Sequence, residues 1–304
     1  MKDYPTIDII IPCYNVSQTI RECVTSILNQ SFTENKTSIF LINDSSTDET
    51  GKIINSFSKH EKIQAIHHNK NLGLSAARNS GINAGNGEIV FFLDSDMSVK
   101  PEWIQMHLEE LEKKDVIGVI GDSRLPKGIQ SNKLDRYLYH PKRGARKIGM
   151  GIPVPFQYFL FNNTSLRRSI INKIGLFNEK ITTYGGEDTE YAIRIWENYP
   201  NYFRFSSKAV SYHFHPREFQ DFCKSMFQYG KTNYLLLLKL YPQYSKELGA
   251  NYINSIKGKL IFNKIITTII NFFYFPLDSY YIKRYLVVGS VIRGARSAKK
   301  GYGE

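Results

Sequence analysis

The sequence of 304 residues is poor in cysteine, with only Cys13, Cys23 and Cys223. An odd number without C-x-x-C spacing argues against a disulfide framework or a zinc knuckle and favours a reducing compartment. The sequence also has no run of about 18 apolar residues, so we expect no transmembrane span. Its first residues lack the apolar core and cleavage site of a signal peptide. Together these absences predict a cytoplasmic protein.

Two nucleotide-binding signatures are also missing. The first apolar run, residues 7–12, is followed by Cys-Tyr-Asn, where a dinucleotide-binding oxidoreductase would have G-x-G-x-x-G. A nucleotidyltransferase usually has a glycine-rich, basic phosphate loop near its first strand, and that loop is absent too. The oxidoreductase is therefore not expected, while a nucleotidyltransferase stays open as an alternative.

Acidic residues are scarce relative to basic ones. The 28 Asp and Glu against 40 Lys and Arg give a net charge of +12 and a pI of about 9.4. Residues 256–304 hold nine of the basic residues and two acidic ones, which is more than half of the net charge. This predicts an anionic partner, either a membrane surface or a nucleic acid. Since no nucleic-acid recognition module is visible, a basic nucleic-acid-binding protein is the weaker alternative, and we expect no nucleic acid partner.

Apolar runs alternate with amphipathic segments through the first half of the sequence. Strand and helix are predicted to alternate four times in about 120 residues, which is typical of an α/β fold with a mostly parallel sheet flanked by helices. Polar residues directly follow three predicted strands, at Asn15, at Asp44 and at Asp94-Ser95-Asp96. Because the carboxyl ends of parallel strands lie at one edge of the sheet, these groups are predicted to form one site.

The spacing of Asp94 and Asp96 favours a cation site. Two carboxylates held at a strand end can bind Mg²⁺ or Mn²⁺ through oxygen, with the cation bridging to substrate phosphates. The alternative is that Asp96 or Ser98 caps a helix that begins near Pro101.

Four stretches of the sequence carry a family resemblance. In chain order they are IPCYNVSQTIRECVTSILNQ, LINDSSTDET, NKNLGLSAARNSGINAGNGEIVFFLDSD and GLFNEKITTYGGEDTEYAIRI. Over these stretches the chain resembles the family 2 glycosyltransferases, which are inverting enzymes with the GT-A nucleotide-sugar-binding fold. The resemblance implies a GT-A catalytic domain at 1–220, with a nucleotide-sugar half at 1–120 and an acceptor half at 121–220. Residues 221–304 are expected to form a helical, basic extension.

The resemblance also implies a set of donor-binding residues. Asp44 would hydrogen-bond the nucleotide base, usually uracil, although the family usually has two aspartates where this chain has Asn43 and Asp44. Arg78 falls in the family's Ala-Arg-Asn and would lie near the nucleotide. The alternatives are a strand-end turn residue for Asp44 and a solvated helix face for Arg78. The predicted donor set is Pro12, Tyr14, Asn15, Asp44, Arg78, Asp94 and Ser95.

A divalent cation, Mn²⁺ or Mg²⁺, is the cofactor that the resemblance implies. Asp94 and Asp96 would bind it. A histidine of the stretch SYHFHP, either His213 or His215, would complete the metal shell. The alternative is a structural histidine whose hydrogen bonds are satisfied within the fold.

The stretch TYGGEDTEYAIRIW carries the predicted catalytic group. Glu187 and Asp188 begin a predicted helix, where carboxylates also interact favourably with the helix dipole. By resemblance, Asp188 is the catalytic base, which takes the acceptor hydroxyl's proton while the hydroxyl attacks the anomeric carbon. The predicted acceptor-binding residues are Asn163, Gly185, Gly186 and Glu187.

Together, these expectations predict that the protein is a metal-dependent inverting glycosyltransferase. It would move a sugar from a nucleoside diphosphate sugar, UDP-linked by resemblance, to a hydroxyl of a glycan or lipid-linked acceptor. The setting that we expect is the synthesis of cell-surface polysaccharide or glycoconjugate.

The C-terminal region has an amphipathic pattern of its own. In residues 260–275, isoleucine and phenylalanine follow the i, i+3, i+4 spacing of one helix face, and polar residues fill the other. Such a helix suits a membrane interface, where the basic residues of 256–304 would contact anionic lipid at the cytoplasmic face. The alternative is packing on the catalytic domain or on a second subunit, which leaves a homodimer open.

Overall fold

The structure is a computed structural model that describes residues 4–32, 36–214 and 217–300. The strands in these ranges are β1 Ile7–Cys13, β2 Thr37–Asn43, β3 Ile63–His67, β4 Ile89–Leu93, β5 Met97–Val99, β6 Gly118–Arg124, β7 Asn163–Arg167 and β8 Phe203–His213. The α-helices in these ranges are α1 Ile20–Leu28, α2 Thr50–Phe57, α3 Leu74–Ala84, α4 Trp103–Leu111, α5 Asp135–Leu138, α6 Arg168–Ile174, α7 Glu187–Asn198, α8 Phe219–Lys231, α9 Asn233–Leu240, α10 Asn251–Asn254, α11 Ile256–Ile261, α12 Lys264–Leu277 and α13 Tyr280–Lys300.

The strands form one sheet of mixed direction, in the order β3-β2-β1-β4-β7-β6-β8-β5. The first four strands pair in parallel, as the alternation of strand and helix predicts. From β7 onward the sheet is mixed: β7 is antiparallel to β4 and β6, and β5 is antiparallel to β8. Strand β8 runs parallel to β6. The antiparallel half has no counterpart in the sequence-based expectation.

The central strands of the parallel half are buried on both faces, which explains why they are nearly continuous apolar runs. All five residues of β4 are buried, and so are Ile9, Ile10 and Ile11 of β1, whereas the edge strand β3 is partly exposed. Polar groups are accommodated more easily where these strands end and the backbone leaves the sheet. Asp44 lies at such a position after β2, and Asp94 after β4.

A buried polar network joins α4 to the antiparallel half of the sheet. Asn163 of β7 has no exposed surface, and its Oδ1 accepts from Trp103 Nε1 at 2.8 Å and lies 3.1 Å from His107 Nε2. Its Nδ2 donates to Ser211 Oγ at 2.9 Å, and His107 Nδ1 lies 2.9 Å from Ser165 Oγ. The expectation that Asn163 contacts the acceptor is therefore wrong, because every polar atom of its side chain is engaged inside the core.

Within the described residues the chain divides into two compact units. The first is drawn from segments 1–128, 144–182 and 187–215, and the second from segments 129–143, 183–186 and 216–304. In the second unit α13 packs closely against α8, where Gly230 and Gly294 leave no room for a side chain. The predicted functional division at residue 220 stays a prediction.

None of the helices in the described ranges is both long enough and apolar enough to cross a bilayer.

The buried His107 predicts an acid-sensitive fold. Burial lowers the pKa of His107 from 6.5 to about 4. Between these values the unfolded chain binds a proton that the folded chain does not, so stability is full above pH 6.5 and falls as the pH drops toward 4. We expect this group alone to contribute about 3 kcal/mol to that loss.

Urea unfolding at several pH values measures this effect. His107→Gln, which keeps a donor and an acceptor, should flatten the pH dependence of the free energy of unfolding between pH 6.5 and 4. A variant that keeps the wild-type slope would assign the acid sensitivity to other groups.

Candidate active site

The loops that follow β1 and β2 are tied together by Asn15. Its backbone is left-handed, with φ at 52°, and its Oδ1 accepts from the backbone N–H of Thr47 at 2.8 Å. Its own N–H donates to Ser46 Oγ at 3.1 Å. Asparagine tolerates this conformation better than most residues do, so the residue type fits the turn.

Three other predicted donor residues differ in accessibility. Tyr14 is largely exposed and Pro12 is half-buried, so both present surface beside the strand ends. Ser95 is buried, and its backbone carbonyl accepts from Thr19 Oγ1 at 3.1 Å. Their contacts with a donor stay predictions.

Asp44 is buried and accepts hydrogen bonds from a neighbouring loop. Its two carboxylate oxygens accept from the backbone N–H groups of Leu72 and Gly73, each at 2.8 Å. The ring Nδ1 of His68 lies 2.7 Å from the same carboxylate. Asp44 thus fixes the loop that leads into α3, and the predicted contact with a nucleotide base stays a prediction.

Arg78 of α3 is the central cation of the site. It is 1% exposed, so the alternative of a solvated helix face is wrong. Its Nη1 donates to Asp188 Oδ1 at 2.7 Å, and its Nη2 donates to the backbone carbonyl of Phe161 at 3.1 Å. Nη2 also lies 3.7 Å from Asp94 Oδ1. One guanidinium therefore links the carboxylate that follows β4 to the carboxylate that opens α7.

The surroundings of Arg78 keep it charged. Burial by itself lowers the pKa of Arg78, but Asp188, Asp94 and Glu187 outweigh this effect and raise it. The guanidinium lies 5.1 Å from the ring centroid of Phe177, within the range of a cation–π contact. A buried cation of this kind is stable only while its carboxylate partners stay in place.

Asp94 and Asp96 lie at the end of β4 in different environments. Burial raises the pKa of Asp94 to about 7, although Arg78 opposes the rise. Asp96 Oδ2 lies 3.0 Å from His213 Nε2, and Asp96 Oδ1 is buried with no hydrogen-bond partner in the described structure. Helix α4 begins at Trp103 with no side-chain cap, so the capping alternative for Asp96 and Ser98 is wrong.

His213 reaches Asp96 through strand pairing. The short β5 is antiparallel to β8, with Met97 paired to His213. His215 lies outside the described residues. An orphaned buried carboxylate oxygen beside an imidazole is a donor set that fits a divalent cation. Within the described ranges, however, no three His, Cys, Asp or Glu side chains converge as a closed metal site.

Two carboxylates open α7. Asp188 Oδ2 accepts from the backbone N–H of Phe161 at 3.2 Å, in addition to the ion pair with Arg78. Burial, with the nearby charge of Asp188, raises the pKa of Glu187 to about 7. The adjacent carboxylates therefore have distinct environments: Asp188 is ion-paired, and Glu187 has a pKa near physiological pH.

Gly185 and Gly186, in the second unit, need to be glycine for conformational reasons. Their φ angles are 82° and 102°, a region that side chains disfavour. Asn233 Nδ2 donates to the carbonyl of Gly185 at 2.6 Å, and a Cβ on Gly186 would lie 3.2 Å from Tyr229. The close approach at these glycines is made by α8 and α9, and their predicted acceptor role stays a prediction.

The structure thus brings together Arg78, Asp94, Asp96, Asp188 and His213. Each of these residues could be identified from the sequence. The ion pair between Arg78 and Asp188 could not, because the two residues are 110 positions apart. The pairing of β5 with β8 was also missed, since a three-residue strand has too little pattern to be recognised.

Comparison with known proteins identifies the family. The sequence matches the family model described as glycosyl transferase family 2 over residues 8–175, more than half of the chain. The chain belongs to this family, which confirms the expected resemblance and, at the level of the family, a glycosyltransferase.

A curated relative matches over much of the chain. The sequence is 26% identical over 259 residues to the probable glycosyltransferase YdaM of Bacillus subtilis (strain 168), across 81% of this chain and 59% of that protein. The chain therefore spans less than two thirds of the length of this relative.

Solved structures confirm the fold. The mannosyltransferase PcManGT of Pyrobaculum calidifontis, in complex with GDP-Man and Mn²⁺, is similar with a TM-score of 0.64 and 16% identity, over 95% of this chain and 87% of that one. TarS 1-349 of S. aureus, in complex with UDP-GlcNAc, has a TM-score of 0.56 and 16% identity, over 98% of this chain and 91% of that one. Similarity at this identity establishes the fold alone, and the predicted GT-A fold with a helical C-terminal region is confirmed.

The contacts of Arg78 with Asp94 and Asp188 predict that substitutions of Arg78 and Asp188 have strongly coupled effects on the free energy of unfolding. Arg78→Met should cost about 3–5 kcal/mol, because it leaves buried carboxylates without a cation. Asp188→Asn removes one of those carboxylates, so the double variant should lose less than the sum of the single variants. The free energy of unfolding in urea measures all three.

The exposed pair of Lys52 and Glu49 is the matched control. Its two side chains lie 2.9 Å apart but are largely solvated, so we expect a coupling energy below about 1 kcal/mol. Additive costs for Arg78→Met and Asp188→Asn would contradict the central role of Arg78.

Proposed function

We propose that the chain is an inverting glycosyltransferase whose donor and acceptor groups meet at Arg78. The observation that carries this proposal is the ion-paired arrangement of Asp94, Arg78 and Asp188. It holds the predicted phosphate-side carboxylate and the predicted base in one rigid group. Pre-organised charges of this kind favour transfer because they need little rearrangement at the moment of reaction.

A divalent cation, Mn²⁺ or Mg²⁺, is the proposed cofactor. Asp94, Asp96 and His213 would hold it, and the orphaned Oδ1 of Asp96 supports this assignment. When bound, such a cation neutralises the charge of the leaving nucleoside diphosphate. The two carboxylates provide the hard oxygen ligands that both cations prefer.

Asp188 is the proposed general base. The chain needs one carboxylate to accept the proton of the acceptor hydroxyl, and inversion then requires no covalent nucleophile. Arg78 orients Asp188 through the 2.7 Å hydrogen bond. Glu187 is the adjacent candidate, because a pKa of about 7 is well suited to proton transfer.

The substrates are proposed at the level of chemical class. The donor is a nucleoside diphosphate sugar, and we favour UDP because Asp44 lies at the end of β2, where the family resemblance puts the base contact. The structural neighbours bind GDP-Man in one case and UDP-GlcNAc in the other, so the fold accommodates both kinds of base. The acceptor is a hydroxyl of a glycan or lipid-linked glycan in the synthesis of cell-surface polysaccharide or glycoconjugate.

Donor binding and the cation are tested together by thermal shift. A panel of nucleoside diphosphates and sugar nucleotides, with and without Mn²⁺, should stabilise the protein by about 2.7 kcal/mol at a hundred times Kd. Asp96→Ala should abolish the Mn²⁺-dependent part, whereas Glu109→Ala, at an exposed carboxylate of α4, should not. If Mn²⁺ still strengthens nucleotide binding in Asp96→Ala, the cation assignment is wrong.

The assignment of the general base is tested with two variants in which a carboxylate is replaced by an uncharged amide. Asp188→Asn should keep donor affinity and reduce turnover by about 10²–10⁴-fold, and Glu187→Gln should reduce it less. Turnover is the release of nucleoside diphosphate from the donor that the thermal-shift panel identifies. The opposite ranking would assign the base to Glu187, and release of pyrophosphate from a nucleoside triphosphate would support a nucleotidyltransferase instead.

A further inference from the structure

Helix α12 exposes large apolar side chains, which a surface helix of a globular protein usually turns inward. Ile265 is 73% exposed and Phe272 is 77% exposed, whereas Thr267 is only 9% exposed. Ile269 and Phe273 are exposed on the same side of the helix. The inner side contains Thr267 and Tyr274, and the other polar residues of the helix are exposed beside the apolar ones.

Specific contacts fix this rotation of α12. Thr267 Oγ1 accepts from Arg293 Nη1 at 3.1 Å and lies 3.3 Å from the hydroxyl of Tyr285. The ring of Tyr274 stacks on Phe219 with centroids 5.0 Å apart. Because hydrogen bonds and a buried aromatic ring both hold the inner side, the outward apolar side is built into the second unit.

The neighbouring α11 continues the pattern. Ile256 and Leu260, four residues apart on one helix face, are both strongly exposed. We define the apolar surface as the exposed apolar residues of α11 and α12: Ile256, Leu260, Ile265, Ile269, Phe272, Phe273 and Leu277. An exposed set of this size marks an interaction site rather than ordinary surface.

The charged residues within the stretch that forms the apolar surface are all basic. Residues 248–277 contain no aspartate or glutamate, while Lys257, Lys259 and Lys264 are exposed. Asp278, which follows Leu277, is ion-paired with Lys283. Exposed apolar side chains complement the acyl chains of an anionic membrane, and the exposed lysines complement its phosphates.

We propose that the apolar surface docks in the interface of an anionic membrane. Helix α12 has 14 residues, so it is about 21 Å long and too short to cross a hydrocarbon core of about 30 Å. It would lie in the plane of the interface with its inner side still packed on α13. The inference does not depend on the transfer reaction, but it would bring a lipid-linked acceptor and the enzyme to the same surface.

Flotation with lipid vesicles is the direct test. The full chain should float with vesicles of phosphatidylglycerol in phosphatidylcholine, and less so with pure phosphatidylcholine. Binding should weaken as salt is raised, because the lysines contribute through screened charge. Asp188→Asn should float like the wild type, so failure of the proposed reaction and failure of docking are distinguishable.

Substitutions on the apolar surface identify the contact. Ile269→Asn with Phe272→Asn should weaken vesicle binding by at least about tenfold, because two large apolar side chains lose their burial in lipid. Leu240→Asn is the matched control, since Leu240 is also an exposed apolar residue of the second unit but lies on α9. It should bind vesicles like the wild type.

A second measurement does not rely on loss of binding. The emission of Phe272→Trp should shift to shorter wavelength with anionic vesicles, whereas that of Leu240→Trp should not. Vesicle binding that survives the Ile269→Asn and Phe272→Asn changes would overturn docking through the apolar surface. So would a wild-type dimer that ignores vesicles and becomes a monomer in the double variant, because a second copy would then cover this surface.

Discussion

The buried guanidinium of Arg78 is the interaction on which the candidate site depends. Asp94 follows a strand at the centre of the sheet, and Asp188 opens a helix almost a hundred residues later. Burial and the nearby charge of Asp188 both disfavour ionisation of Asp94, and a cation between the two carboxylates opposes that effect. Arg78, itself only 1% exposed, supplies that cation and fixes the distance between the two groups. The predicted donor-side carboxylate and the predicted base are thereby joined through one side chain.

The sheet provides the second constraint. Its parallel half places Asp44 and Asp94 at one edge, and its antiparallel half brings His213 beside Asp96 through the pairing of β5 with β8. Under these strands, the network centred on Asn163 satisfies polar groups that have no access to water. This buried hydrogen-bond network supports the strands that carry the site.

The features of the fold that depend on local sequence pattern could be predicted. The apolar runs of β1, β2 and β4 could be recognised because strands buried on both faces have little choice of residue, and their parallel order placed Asp44 and Asp94 correctly at strand ends. Contacts between distant segments could not be predicted. The burial of Asn163 and the ion pair of Arg78 both depend on tertiary packing, which leaves no periodic signal at either residue. The amphipathic pattern of α12 was visible, but only the structure shows that Ile265, Ile269 and Phe272 are exposed while Thr267 is buried.

Anomalous diffraction at the manganese edge, from crystals grown with Mn²⁺ and a bound nucleoside diphosphate, tests the central claim most directly. The account predicts a manganese peak in contact with the carboxylate of Asp96 and the diphosphate, with Arg78 still hydrogen-bonded to Asp188. A nucleotide bound away from the ends of β1, β2 and β4, or a manganese ion that does not contact Asp96, would contradict it.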